Sequence, residues 1–240
     1  MARRMNDKEL AKVIKDKSRR DDSTIDNNAT TAQMIFLARL YRQTKDITLS
    51  GCFPSGSGIF AEWSIRKRRW PQFWPGPRGY QVHITLMTMP FVNTLNMIRD
   101  MMNHKAPYED DLIDKALCVR LGKAFNKGIE CILATQIIKD GEPSVWCQQN
   151  DRETLKPAPA RAYELPSYCS AESAGIVRLL MELPAPDARV KRAVHGAMKW
   201  FDRYKLTGLK CERIVLANGE RDTRLVEDPS TKPIGRVIMI

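Results

Sequence analysis

Apolar residues recur at three- and four-residue intervals in several stretches of this chain, each bounded by polar, glycine or proline punctuation. Between Ala29 and Thr44 the recurring positions are Met34, Leu37, Ala38 and Tyr41, preceded by Asp26, Asn27 and Asn28. Helical spacing behind residues of capping type predicts a helix. From Phe91 to Met102, residues Val92, Leu95, Met97, Ile98 and Met101 fall largely along one side, so a second helix packs on a neighbour with its methionines as core filler. A long helix is predicted from Asp110 to Leu133. Its wide apolar face includes Leu112, Ile113, Leu117, Leu121, Phe125, Ile129 and Ile132, while Asp114 and Lys115 face water.

A hairpin follows, because Ile137 and Ile138 lead into Asp140-Gly141, a dipeptide suited to a tight turn, and then into Val145 and Trp146. Pro157, Pro159 and Pro166 forbid regular helix between Asn150 and Ser170 and stiffen a loop that presents side chains. Two further helices are predicted, at Ala171 to Glu182 and Pro186 to Leu206, bounded by Pro184, Pro186 and Gly208. The expected fold is all-α: paired antiparallel helices in an (α/α) toroid or barrel, with long loops, one short β-hairpin and function carried on the loops. Residues 1–240 are read as a single catalytic domain, the length one core can fill.

Composition narrows the class of partner. At 43% hydrophobic and 28% charged the chain is ordinary globular protein, and a formal charge of +11 favours anionic partners, nucleic acid and acidic polysaccharide alike. Part of that charge sits in Arg66, Lys67, Arg68 and Arg69, which a solvated basic face explains equally well. Cys52, Cys118, Cys131, Cys147, Cys169 and Cys211 form no C-x-x-C pair, so buried free thiols are expected rather than a zinc site. His83, His104 and His195 lack metal-ligand spacing. The basic amino terminus leads into no apolar run, so no signal peptide is expected in this numbering, and the apolar stretches fall short of a membrane span.

Two segments are more specific than composition. The first is Val145-Trp146-Cys147-Gln148-Gln149-Asn150-Asp151 with Thr154 to Ser167 and Glu172 to Val177; the second is Asp22 to Thr31 with Met34 and Phe36-Leu37-Ala38 after it. Together with Trp70-Pro71-Gln72-Phe73, they resemble the motifs of the family 10 pectate lyases, in the family's order, across most of residues 7 to 233. The resemblance implies β-elimination on polygalacturonate, a calcium cofactor, a monomer, and neither nucleic acid nor membrane as partner. It also implies that a full-length parent acts outside the cell or in the periplasm.

By the same resemblance Arg161 is the base that takes the C5 proton, Asp26 the calcium ligand, Asn27 a neighbouring substrate or metal contact, and Trp70 and Tyr163 substrate contacts. An arginine base is chemically demanding, since guanidinium ordinarily keeps its proton. Each residue has a plainer reading too: Asp26 as a helix cap, Arg161 as a partner of Glu164, and Trp70, Phe73 and Trp74 as core.

The pattern breaks in three places. Where the family reads Phe-Asn-Asp-Asp-Ala, Leu86-Met87-Thr88-Met89-Pro90 stands instead, as a one-base frameshift would produce, and Thr88 replaces a calcium-ligand aspartate. Residues Gly235 to Ile240 fit a second shift, and Cys52 to Arg69 also depart from the family. Together with a missing carboxy-terminal segment, these changes predict weak or absent lyase activity. The alternatives are a non-catalytic binder of acidic polysaccharide and, on charge alone, a nucleic-acid-binding helical protein.

Overall fold

The structure, a computed structural model, describes residues 6, 8, 12, 22–46, 48, 70, 72–75, 79–87, 89–109 and 111–240. Thr88, the Arg66 to Arg69 cluster and the rest of the 52–69 stretch lie outside them, as does the side chain of Trp74.

Strand β1 (Asp22–Thr24) leads through a short 3-10 turn, Asp26–Asn28, into α1 (Ala29–Thr44). No side chain caps α1: Asn28 occupies the cap position with a left-handed backbone, so the capping reading of the Asp26 to Asn28 run does not hold. Strands β2 (Phe73–Pro75) and β3 (Ile84–Thr85) precede α2 (Pro90–Met102), which opens on a proline whose missing N–H is one the first turn leaves unpaired anyway. Helix α3 (Lys115–Thr135) begins five residues later than its apolar pattern suggests. The reason is Asp114, whose carboxylate accepts from the Leu117 backbone N–H at 2.6 Å and so fixes the start. Leu112 and Ile113 still reach the core from irregular backbone.

After α3, β4 (Ile138–Lys139) and β5 (Glu142–Pro143) form the expected hairpin, with positive φ at both Asp140 (51°) and Gly141 (79°) as its two-residue turn requires. Strands β6 (Gln149–Asn150) and β7 (Ser167–Cys169) bracket the proline-rich loop. Helix α4 (Ser170–Met181) and helix α5 (Ala188–Tyr204) follow, the latter capped by Asp187 onto the Val190 N–H at 2.9 Å. A ribbon of β8 (Leu209–Val215) and β9 (Arg221–Glu227) and the closing strand β10 (Val237–Met239) complete the chain.

The expectation of an all-α toroid is therefore corrected: the described residues form a mixed structure of helices and strands. The strands pair antiparallel as β1 with β2, β3 with β6, β4 with β5, β7 with β10 and β8 with β9. Their cause is the buried backbone between helices. Gln149 and Asn150 have no exposed surface, and peptide groups at that depth must find partners, which the short ladders supply. The tail from Gly235, expected to be out of frame, supplies the partner of β7, with Val237 opposite Cys169.

Helices α2 and α3 pack closest to one another, as do α4 and α5, over one apolar cluster running from Ile25 to Trp200. Close approach of the first pair depends on Gly128, where an added Cβ would overlap the buried Leu95 side chain. No described helix is long and apolar enough to cross a membrane.

Candidate functional site

The buried run from Val145 to Asn150 is the spine of the site. Trp146 is anchored by its Nε1, which donates to the Ile132 carbonyl at 2.7 Å, and by its backbone N–H, which donates to Ser173 Oγ at 2.9 Å. Gln148 then holds two loops at once. Its carbonyl accepts from Leu86 N at 2.8 Å and Met87 N at 3.0 Å, and its side-chain amide donates to the Leu165 carbonyl at 2.9 Å. Gln149 adds a donated bond to the Tyr80 carbonyl and accepts one from Thr85 Oγ1. A buried amide that satisfies its own polar groups across two loops fixes their spacing.

Arg161 sits on the proline-rich loop so anchored. Ala158 N donates to the Gln149 carbonyl at 3.0 Å, and the turn closes on itself through Glu164 N to the Arg161 carbonyl at 2.8 Å and Ala160 N to the Glu164 carbonyl at 3.0 Å. Glu164 also grips the guanidinium. One oxygen, Oε2, accepts from the Arg161 backbone N–H at 3.0 Å and from Nε at 2.8 Å, and Oε1 accepts from Nη2. Arg161 is half exposed, Nη2 also lies 3.8 Å from the Met87 sulfur, and the guanidinium lies 5.3 Å from the centre of the Tyr163 ring. Those bonds to Glu164 hold the guanidinium's proton more tightly than usual, and they pull the Glu164 carboxyl below its ordinary range.

The Asp26 turn flanks the same segment from its other end. Asp26 Oδ1 accepts from the Asn27 backbone N–H at 3.0 Å and Oδ2 from the Asn27 side-chain amide at 3.3 Å. Both Asn27 (φ 47°) and Asn28 (φ 61°) adopt the left-handed conformation, uncommon outside glycine and concentrated at functional turns. Asn28 Oδ1 accepts from Asn93 Nδ2 at 2.8 Å, which ties this turn to the first turn of α2. Arg161 thus approaches Met87 and the Asp26 turn is tied to Asn93, contacts at the two ends of residues 87–93.

Of the five site residues read from the sequence, four stand on these two loops and one does not. Trp70 has no exposed surface; its ring packs 5.0 Å from that of Phe91, and its Nε1 has no hydrogen-bond partner among the described residues. It is a core residue here, not a sugar platform, because its apolar surface is spent inside. Tyr163, at 75% exposure beside Arg161, is the aromatic ring open to a ligand. Glu164, Asn93 and Gln148 were not singled out as site residues. Their roles depend on contacts far along the chain, except that a glutamate three residues after Arg161 is a visible signal.

Among the described residues no group of three or more His, Cys, Asp or Glu side chains converges to hold a metal. Asp26 offers one carboxylate, whose two oxygens accept from the Asn27 backbone N–H and side-chain amide, and the neighbouring Asn28 amide oxygen is bonded to Asn93. This set suits calcium in kind, being all hard oxygen, and supplies part of the roughly six to eight ligands that ion takes.

The family model described as pectic acid lyase matches residues 1–234. Two solved structures are similar. One, a mutant family 10 polysaccharide lyase of Cellvibrio cellulosa in complex with trigalacturonic acid, aligns with TM-score 0.78 at 28% identity over 88% of this chain. The other, a family 10 polysaccharide lyase of the same organism, gives 0.74 at 30% identity over 79%. This chain spans 65% and 59% of their respective lengths. No curated protein sequence matches.

Proposed function

The chain belongs to the pectic acid lyase family, and from that membership we propose that its site takes polygalacturonate and cleaves it by β-elimination with calcium. In that reaction the C5 hydrogen leaves as a proton, its electron pair forms the C4=C5 double bond, and the C4–O4 bond breaks, O4 taking a proton from solvent. Arg161, in its neutral form, is the acceptor of the C5 proton. Asp26 and Asn27 are the residues that would hold the metal. When bound, calcium neutralises the uronate carboxylate and stabilises the negative charge that builds beside it as C5 loses its proton. Tyr163 offers an exposed ring face to the sugar, and the net charge of +11 draws the polyanion in.

The observation that carries this reading is the arrangement of Arg161 and the Asp26 turn about residues 87–93. Release of 4,5-unsaturated uronate from polygalacturonate, lost on chelation and on Arg161→Ala, tests it; a rate untouched by Arg161→Ala refutes it. The rate of the chain as written is expected to be low, because Thr88 offers one neutral hydroxyl where the family places a carboxylate. The substrate is a cell-wall polymer, so the reading carries with it action outside the cell.

A second reading is favoured by the grip of Glu164 on Arg161. A guanidinium kept charged is an anion-binding group, so the chain would retain acidic polysaccharide without cleaving it. Calcium-independent retention on polygalacturonate with no unsaturated product distinguishes the two.

A further inference from the structure

We propose that Glu164 is a positioning residue that locks Arg161 as a fixed cation in the resting site, a lock that must open before Arg161 takes a proton. The inference rests on the reading of Arg161 as the base.

The geometry is that of a clamp rather than a passing surface contact. Both Glu164 oxygens are used, one of them on two N–H groups of the same residue, and the backbones of Arg161 and Glu164 close the turn between them. The carboxylate is largely buried, its side chain 13% exposed against 49% for Arg161, so water competes poorly for it. Ala158 and Leu165 are each hydrogen-bonded to the buried spine, on Gln149 and Gln148, so the turn does not drift to release the pair.

Among the described residues Glu164 is the one carboxylate bonded to this arginine. The remaining groups that face it are the phenols of Tyr163 and Tyr80 and the thioether of Met87. A base has to give up its proton, and a forked carboxylate on Nε and Nη2 stabilises the charged form that must be given up. Among the described residues Nη1 makes no hydrogen bond, so it is the edge left open to an incoming uronate carboxylate. A resting enzyme so arranged keeps its base inactive while Glu164 holds the fork.

The test reads the guanidinium directly. Phenylglyoxal reacts with arginine in its unprotonated form, so mass spectrometry of the modified chain across a pH series follows Arg161 alone. In Glu164→Gln, of nearly the same shape but uncharged, modification of Arg161 is expected to rise about tenfold at fixed pH, the change that one pKa unit produces. Arg189, clamped by Glu130 and Asp187, is the internal control and should be unchanged if the fold is intact. Equal Arg161 rates in both proteins, with Arg189 also equal, would overturn the clamp. Trigalacturonate added at saturation to the unsubstituted chain should raise Arg161 reactivity; reactivity unchanged or lowered would overturn the opening of the lock. Because turnover is not the readout, a chain that shows these effects yet releases no unsaturated product retires the lyase reading and leaves the clamp standing.

Discussion

Asn93 donates through Nδ2 to Oδ1 of Asn28 at 2.8 Å, across 65 residues of sequence, and this bond fastens the Asp26 turn to the helix that follows the Met87 segment. It acts with the bonds from Ile25 N and Thr24 Oγ1 to the Gln72 carbonyl to hold a turn with two consecutive left-handed residues.

Asn93→Ala should therefore separate stability from binding. The bond lies at the surface, so its loss should lower unfolding free energy by no more than about 1 kcal/mol in a denaturant titration. Affinity for polygalacturonate should fall about tenfold, the equivalent of about 1.4 kcal/mol of lost contact with the Asp26 turn. A variant that unfolds readily but binds normally would contradict the role given to the bond.

Placing a carboxylate at position 88 tests whether Thr88 is what limits the proposed calcium-dependent cleavage. Thr88→Asp is expected to raise calcium-dependent release of unsaturated uronate at least tenfold, because a charged oxygen ligand replaces a neutral hydroxyl. Addition of a chelator should return the variant to the rate of the parent chain. Assay of both proteins with and without calcium checks each statement, and unchanged rates in the variant would remove Thr88 from the explanation.

The helices and the first hairpin were legible in the sequence because local patterns define them. Phe91 to Met102 was expected as a helix and Pro90–Met102 is found; Asp140-Gly141 was expected as a turn and both residues carry positive φ. Errors arose where long-range contacts decide. Trp70 looks the same in sequence whether it stacks on a sugar or on Phe91, and only the fold buries it. The ladders that overturn the all-α expectation join segments as distant as β1 with β2 and β7 with β10, and no single stretch of two or three residues announces such a partner. The β8–β9 ribbon was missed for a different reason. Asn218-Gly219 marks its turn, but the strands are studded with charges and largely exposed, so they lack a buried alternating face. In the site, Arg161 and Tyr163 came from the motif, whereas Asn93 and Gln148 act through partners 65 residues away and on separate loops.

Packing gives a prediction independent of function. Gly128 faces Leu95, which is fully buried and cannot swing away, so Gly128→Ala forces the α2 and α3 helices apart. Overpacking costs about 1–3 kcal/mol, and the better helix propensity of alanine returns about 1 kcal/mol. A net loss of up to about 2 kcal/mol should appear as an earlier denaturant midpoint, and a midpoint that moves later would show that the helix crossing tolerates the methyl.

The start of α5 gives a pH signature with a definite sign. Asp187 accepts from the Val190 N–H at 2.9 Å and from Arg189, and these bonds, the backbone one foremost, hold its carboxyl below the ordinary range. A carboxyl depressed in the folded state stabilises the fold above its unfolded pKa, about 3.9, and that contribution disappears as pH falls through the lower folded value. Asp187→Asn keeps an acceptor on the helix cap but removes the charge. Compared by urea unfolding at a series of pH values, parent and variant should differ at pH 6 to 7, with the parent the more stable, and should converge as the pH drops below about 4. A gap that persists undiminished into acid would mean that the aspartate contributes through hydrogen-bond geometry alone, and that its charge does nothing for the helix.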